Sequence, residues 1–312
     1  MILTKLVLTG PKIMKNNITN SIASFDNLRD RLLRLLMTPI STSRNDSQLE
    51  FHLPTSSTNK YKFIYHNRNV IDFLEFLVDS LPTGNIYLFG GVLRDLALLG
   101  KKGFNSDIDL VADGDWKNCT TYLDHIGAKR NKFGGYRLVI AGWPIDIWSA
   151  KDTWAIKQGF VTYNGIFSLT NTTVLNWDAI LMNWRTKTFI YRDRYLSDLN
   201  DRILDIILEN NPNPLGMAVR VFRHLCSKDA RKITVRAADY LGKCTEKYCF
   251  NDLKNSEIKS YGNSVIEPAV YLFFSKYREN NNKSINDRYS DASHSLIRNG
   301  ITLSSKQFEF NL

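Results

Sequence analysis

Three aspartates in this 312-residue chain sit in strand-like alternation with apolar residues. Asp107 and Asp109 flank Ile108 in "SDIDL", and Asp146 lies between two isoleucines in "WPIDIW". Side chains two residues apart on a strand point to the same face, so Asp107 and Asp109 form a carboxylate pair. On a solvated face such a pair is ordinary. On a covered face desolvation and like charge both oppose ionisation unless a cation neutralises them. Carboxylate oxygens suit a hard divalent cation such as Mg²⁺. A second feature precedes them. Gly90 and Gly91 end the apolar run "NIYLF" and open "VLRDLALLG". Glycines leave backbone N–H groups unencumbered at a helix N-terminus, where donors and dipole together favour phosphate. Arg94 stands one turn into that helix, within reach of an anion or of a carboxylate. A phosphate turn and three carboxylates are the parts of two-metal phosphoryl chemistry, in which ions about 3.5–4 Å apart stabilise the attacking and leaving oxygens.

The elements that must position these residues follow from periodicity. Residues 70–81 read as an amphipathic helix closed by Pro82 and Gly84, 85–89 as a buried strand, and "VLRDLALLG" as a helix. Residues 107–113 alternate as a strand, "WKNCTTYLDHIG" reads as a helix, and 136–142 and 144–149 as strands joined at the turn-prone Gly142. Beyond residue 165 the pattern predicts helices over 172–184, 196–208, "NPLGMAVRVFRHLC", "ARKITVRAADYLGKC" and 267–280, with one strand, "KTFIYRD". The implied class is α+β, a mixed sheet with flanking helices followed by a mainly helical region. A helix over 24–37 and a Ser/Thr/Asn/Pro-rich stretch over 38–60 read as an N-terminal extension and linker. The expected domains are therefore 1–60, a sheet domain at 61–195 and a helical domain at 196–312.

"GGVLRDLALLG…SDIDL" resembles the head domain of the bacterial-type tRNA nucleotidyltransferase and poly(A) polymerase family, within the polymerase-beta-like nucleotidyltransferase superfamily. That family head carries Gly-Gly-x-x-Arg-Asp, then Asp-x-Asp on the next strand, then a third acid on a further strand. The resemblance implies a polymerase-beta-like palm. It also implies catalytic, metal-holding roles for Asp107, Asp109 and Asp146 with two Mg²⁺ ions. Nucleotide binding falls to Gly90, Gly91, Arg94 and Asp95, with Arg94 either touching the phosphates or bracing the turn through Asp95. "NPLGMAVRVFRHL" is similar to the family's neck helix and adds Arg220 and Arg223 as nucleotide contacts. The implied reaction transfers a nucleoside monophosphate from ATP or CTP to an RNA 3′ end, tRNA foremost. Where the family carries Arg-Arg-Asp-Phe-Thr-x-Asn this chain reads "FSLTNTTVLNWD", without arginine and with Thr173 at the aligned asparagine. That departure keeps open the same chemistry on a protein or small-molecule acceptor. A catalytically silent RNA-binding module is the third reading.

Composition narrows the class. Hydrophobic residues make up 43% and the formal charge is +10 at pH 7, which suits a globular protein with a polyanionic partner. The basic stretch 215–250, with Lys228, Arg231, Lys232, Arg236, Lys243 and Lys247, reads either as a solvated helical surface or as RNA-backbone contact. Four cysteines form no CxxC pair, so a reduced, cytoplasmic protein is expected. No segment has the roughly 18 uninterrupted apolar residues of a membrane span, so no membrane partner is expected. Trp143, Trp148 and Trp154 read as packing beneath the sheet rather than as base-stacking platforms. His125 and His224 read as core or surface residues rather than as ligands.

Overall fold

Four apolar or β-favouring residues after Asn85 in "NIYLF" make strand β1, Asn85–Phe89, and all four are buried. The computed structural model describes residues 22, 24–38, 69–79, 81, 83–104, 106–227, 230–299 and 309–311. β1 ends at Gly90, whose φ of +61° is one that side-chain-bearing residues rarely adopt, and the helix Gly91–Gly103 follows at once. β2, Ile108–Asp113, buries Ile108, Leu110 and Ala112 on one face and leaves Asp109 and Asp113 partly exposed. β3 (Lys129–Arg130), β4 (Tyr136–Ile140), β5 (Trp143–Ser149), β6 (Ile180–Asn183) and β7 (Phe189–Tyr191) complete a seven-stranded sheet in the order β3-β4-β5-β2-β1-β6-β7. β2 and β5 are parallel and the other neighbours antiparallel, so the sheet is mixed, as expected.

The chain divides into two compact units, one of residues 21–173 and 177–196 and the other including 174–176 and everything from Ser197. The helix α1, Phe25–Leu36, belongs to the sheet unit. Leu28, Leu32, Leu35 and Leu36 bury one stripe of it, and Ser24 caps its first turn by accepting from the Asn27 N–H at 3.3 Å. The Arg31 Nη1 donates to Leu96 O at 3.0 Å, and Phe25 stacks on Tyr191 with ring centroids 4.3 Å apart. Residues 25–36 are therefore core, not appendage; the rest of the expected extension, apart from residues 22, 24, 37 and 38, lies outside the described residues.

One expected helix is not formed and another stops short. Within 172–184 a short 3-10 turn, Asn176–Asp178, leads into β6, which is buried along its whole length between β1 and β7. A continuous apolar run such as "AILMN" carries no period that separates a doubly covered strand from a buried helix. Within 196–208 the helix Tyr195–Asn200 stops, Arg202 takes φ +58°, and Ile203–Leu204 forms β8. A third helix starts later than expected: Lys232–Thr234 is β9, and Thr234 then caps Val235–Lys247 by accepting from Ala237 N–H at 3.1 Å.

The second unit is mainly helical, with Pro214–Ser227, Val235–Lys247, Phe250–Tyr261, Pro268–Glu279 and Ile285–Arg298 as its helices. Its core holds Phe222, Phe273, Phe274 and Tyr277. Burial pushes the Cys119 and Cys244 thiols up to about 12, whereas Cys249 is exposed. Two outcomes are expected. Leu32→Ala lowers unfolding free energy by about 2–5 kcal/mol in urea titration, the range for emptying a core leucine site, whereas truncating an appended helix would change little. In the native protein a disulfide reagent at pH 8 modifies Cys249 and leaves Cys119 and Cys244 unreacted until denaturant is added.

Candidate active site

Register sets two of the three sequence-predicted aspartates, Asp109 and Asp146, side by side. Phe89 lies opposite Asp109 across the antiparallel pair β1–β2, and Asp109 lies opposite Asp146 across the parallel pair β2–β5. Asp107 immediately precedes β2 and shares the face of Asp109. Because β1 and β2 run in opposite directions, the chain leaving Phe89 enters Gly90–Gly91 beside the start of β2. The glycine turn and the carboxylates thus occupy one end of the sheet. A Cβ at Gly91 would lie 3.4 Å from the Ser106 Oγ, which shows how closely that turn passes the segment leading to Asp107.

The same face becomes apolar one step away. Tyr87, Phe89, Val111, Ala150, Leu169 and Leu181 form a buried cluster, with Trp148 and Tyr163 packed against it. The Trp143 Nε1 donates to Thr38 O at 3.0 Å and the Trp148 Nε1 to Thr153 Oγ1 at 3.0 Å; Trp143 lies on the back face with Ile145, whereas Trp148 packs on the face of the aspartates rather than beneath the sheet. The aspartates stay at the open end of the face, with Asp107 46% and Asp146 21% exposed at the side chain.

One further residue stands among them. Arg137 on β4 lies opposite Asp146. Its Nε donates to Asp146 Oδ1 at 2.8 Å, and its Nη2 donates to Asp146 Oδ2 at 2.5 Å and to Asp107 Oδ2 at 2.8 Å. Hydrogen bonding to Asp146 holds the guanidinium above its ordinary pKa; burial opposes this, and the charges of Asp146, Asp107 and Asp109 reinforce it. Residue patterns did not single out Arg137, yet a signal existed. Ala141 and Gly142, both at positive φ, make a two-residue turn in which Ile140 pairs with Trp143, and that turn sets Arg137 against Asp146. Among the described residues no group of three or more His, Cys, Asp or Glu side chains is gathered as a ligand set. The donor chemistry of Asp107, Asp109 and Asp146, all carboxylate oxygen, fits a hard divalent ion.

Arg94 and Asp95 lie under the turn rather than in the site. Arg94 Nε donates to Asp95 Oδ1 at 2.9 Å, its Nη1 donates to Asp178, and Ser106 Oγ donates to Asp95 Oδ2 at 2.6 Å. Burial alone would lower the Arg94 pKa, but the charges of Asp178 and Asp95 hold it well above its ordinary value. The guanidinium is only 8% exposed and braces the turn. Gly90 uses its N–H on Ile180 O at 3.0 Å, tying the same turn to the start of β6. Asp178 and Ser106 were not singled out from the sequence; the one hint was an acid entering the apolar run "DAILMN".

The two neck arginines belong to the other unit, on the helix Pro214–Ser227. Arg220 is exposed. Arg223 donates to the wholly buried Glu257 and to Asn263 Oδ1 at 3.1 Å, and it covers the Tyr261 ring at 4.1 Å. Glu257 also accepts from Ser264 Oγ and Val265 N–H, both at 2.9 Å, so Arg223 is part of a structural ion-pair network. Of the basic residues in 215–250, Lys243 pairs with Glu209 at 3.0 Å and Lys228 lies outside the described residues.

No protein-family model matches the chain, and no curated protein does. Solved structures similar to it include a tRNA-processing enzyme complex at 13% identity and TM-score 0.48, covering 69% of this chain and 57% of that one. A CCA-adding enzyme with CTP is similar at 14% identity and TM-score 0.45, covering 75% and 67%. The Thermotoga maritima CCA-adding enzyme complexed with tRNA is similar at 15% identity and TM-score 0.45, covering 76% and 66%. The chain spans little more than half the length of the first of these.

Arg94→Met is expected to destabilise the protein by about 3–5 kcal/mol in urea titration, because it strands the buried carboxylates of Asp95 and Asp178. A residue whose task was phosphate contact would leave stability unchanged when replaced.

Proposed function

We propose that this chain is a divalent-metal-dependent nucleotidyltransferase that moves a nucleoside monophosphate from ATP or CTP to an acceptor hydroxyl and releases pyrophosphate. The observation that carries the reading is the pairing of Asp109 with Asp146 in register, with Asp107 just before the same strand and the glycine turn beside it. Asp107 and Asp109 would hold two Mg²⁺ ions, with Asp146 completing the site on the acceptor side. When bound, those ions supply charge stabilisation to the attacking and leaving oxygens. The acceptor oxygen forms a bond to the α-phosphorus as the bond from that phosphorus to the bridging oxygen breaks. Asp146 receives the hydroxyl proton, and the leaving pyrophosphate departs toward the Gly90–Gly91 end of the sheet.

The braced turn supplies rigidity. With Arg94 fixed by Asp95 and Asp178, the backbone beside the carboxylates is preorganised for phosphate rather than shaped by it. An RNA 3′ end, tRNA foremost, is the favoured acceptor, supported by the +10 charge and by the head and neck motifs. Because the chain shows no transmembrane-length apolar helix among its described residues, a cytoplasmic setting is proposed with it. A protein or small-molecule acceptor is the second reading. It is favoured by the engagement of Arg94 and Arg223 in internal ion pairs, which leaves fewer arginines for the nucleotide pattern of the resembled family.

Incubation with each α-³²P-labelled NTP, Mg²⁺ and total RNA is expected to place label on RNA. Asp107→Ala/Asp109→Ala should lower transfer by at least about a thousandfold, the scale of losing a group that acts on transition-state charge. Label on protein or a small molecule alone would select the second reading. Absence of any transfer, with RNA still retained, would leave a binding module. Full transfer by Asp146→Ala would remove that residue from the mechanism.

A further inference from the structure

Arg137 is the cation of the candidate site that no motif accounts for. It engages three oxygens of two carboxylates: Asp146 Oδ1 and Oδ2 in a forked pair, and Asp107 Oδ2 through the same Nη2. It reaches them from the neighbouring strand β4 because the two-residue turn at Ala141–Gly142 sets the cross-strand register. We propose that Arg137 is a built-in competitor for the divalent-cation site, holding Asp107 and Asp146 in the metal-free protein and releasing at least one of them when an ion binds.

The proposal rests on the reading above that these carboxylates hold divalent ions. An oxygen lone pair that accepts a guanidinium N–H is not at the same moment a metal donor, and two cations crowded onto one carboxylate group repel each other. Without Arg137 or a metal, Asp107, Asp109 and Asp146 would face each other as like charges with no counter-ion between them. The arginine therefore holds Asp146 and Asp107 oriented before loading. It is also able to leave: its side chain is 50% exposed, whereas Arg94, at 8%, is enclosed. The two arginines thus have different physical status, Arg94 a fixed brace in its helix and Arg137 a displaceable counter-ion on its strand.

Manganese binding by the full chain, without nucleotide, tests this. Free Mn²⁺ is measured by electron paramagnetic resonance for the unaltered protein, Arg137→Gln, Arg137→Lys and Asp107→Asn/Asp109→Asn. Arg137→Gln should bind Mn²⁺ about 3- to 30-fold tighter, the range for removing a half-exposed charge-assisted contact. Arg137→Lys, which retains the charge, should show a smaller gain. In thermal melts Arg137→Gln should be the less stable protein without metal and show the larger upward shift when Mn²⁺ is added. A merely structural arginine would move affinity the other way, toward weaker binding. If Arg137→Gln binds Mn²⁺ no tighter than the unaltered protein while Asp107→Asn/Asp109→Asn loses binding, Arg137 is not a competitor and the metal reading stands. If no protein retains Mn²⁺, both fall together.

Discussion

The candidate site depends on one register, the parallel pairing of β2 with β5 that sets Asp109 against Asp146. A one-residue slip in that pairing would turn one carboxylate to the opposite face, where Ile108, Leu110, Ile145 and Ile147 are wholly buried. The slip is opposed by the burial of those isoleucines and Leu110 themselves. The apolar alternation that makes each strand half-buried is thus the same feature that presents the acids together. Stability of the back face and chemistry of the front face are written in alternate residues of the same two strands.

A second ionic arrangement fixes the turn. Arg94, Asp95 and Asp178 form a buried set that joins the start of the helix Gly91–Gly103 to the entry of β6, and Gly90 N–H adds a backbone tie at the same point. Such a set gains its strength from complete pairing, because each partner removed leaves a desolvated charge. Arg137 represents the other regime. Its side chain and that of Asp107 are about half exposed, so its contacts are held weakly enough to exchange. The contrast explains how one fold can hold two arginine–aspartate clusters and use one for architecture and the other for exchange.

How far the site was legible depends on the range of the interactions that make it. Alternation in "DIDL" and "PIDIW" and the glycine pair identify the carboxylates and the turn, because period-two burial is a local property of each strand. The run "AILMNW" was misread as helix because a strand covered on both faces shows no alternation. "ILDIIL" was misread because the helix is ended by Arg202 in a left-handed conformation rather than by a glycine or proline. Helix α1 carried a clear apolar stripe, but a stripe does not name the surface that covers it.

Residue type and spacing alone therefore settled the α+β class, the strands that carry the acids, and the chemical character of a carboxylate set beside a glycine turn. The fold alone decided what each charged group faces. Arg94 and Arg223, alike in sequence as candidate phosphate ligands, are committed to Asp178 and Glu257. Arg137, unmarked by any motif, is the cation that meets the acids. The physical reason is that a carboxylate's partner is set by contacts 9 to 84 residues apart in the chain, and those separations close only when the chain folds.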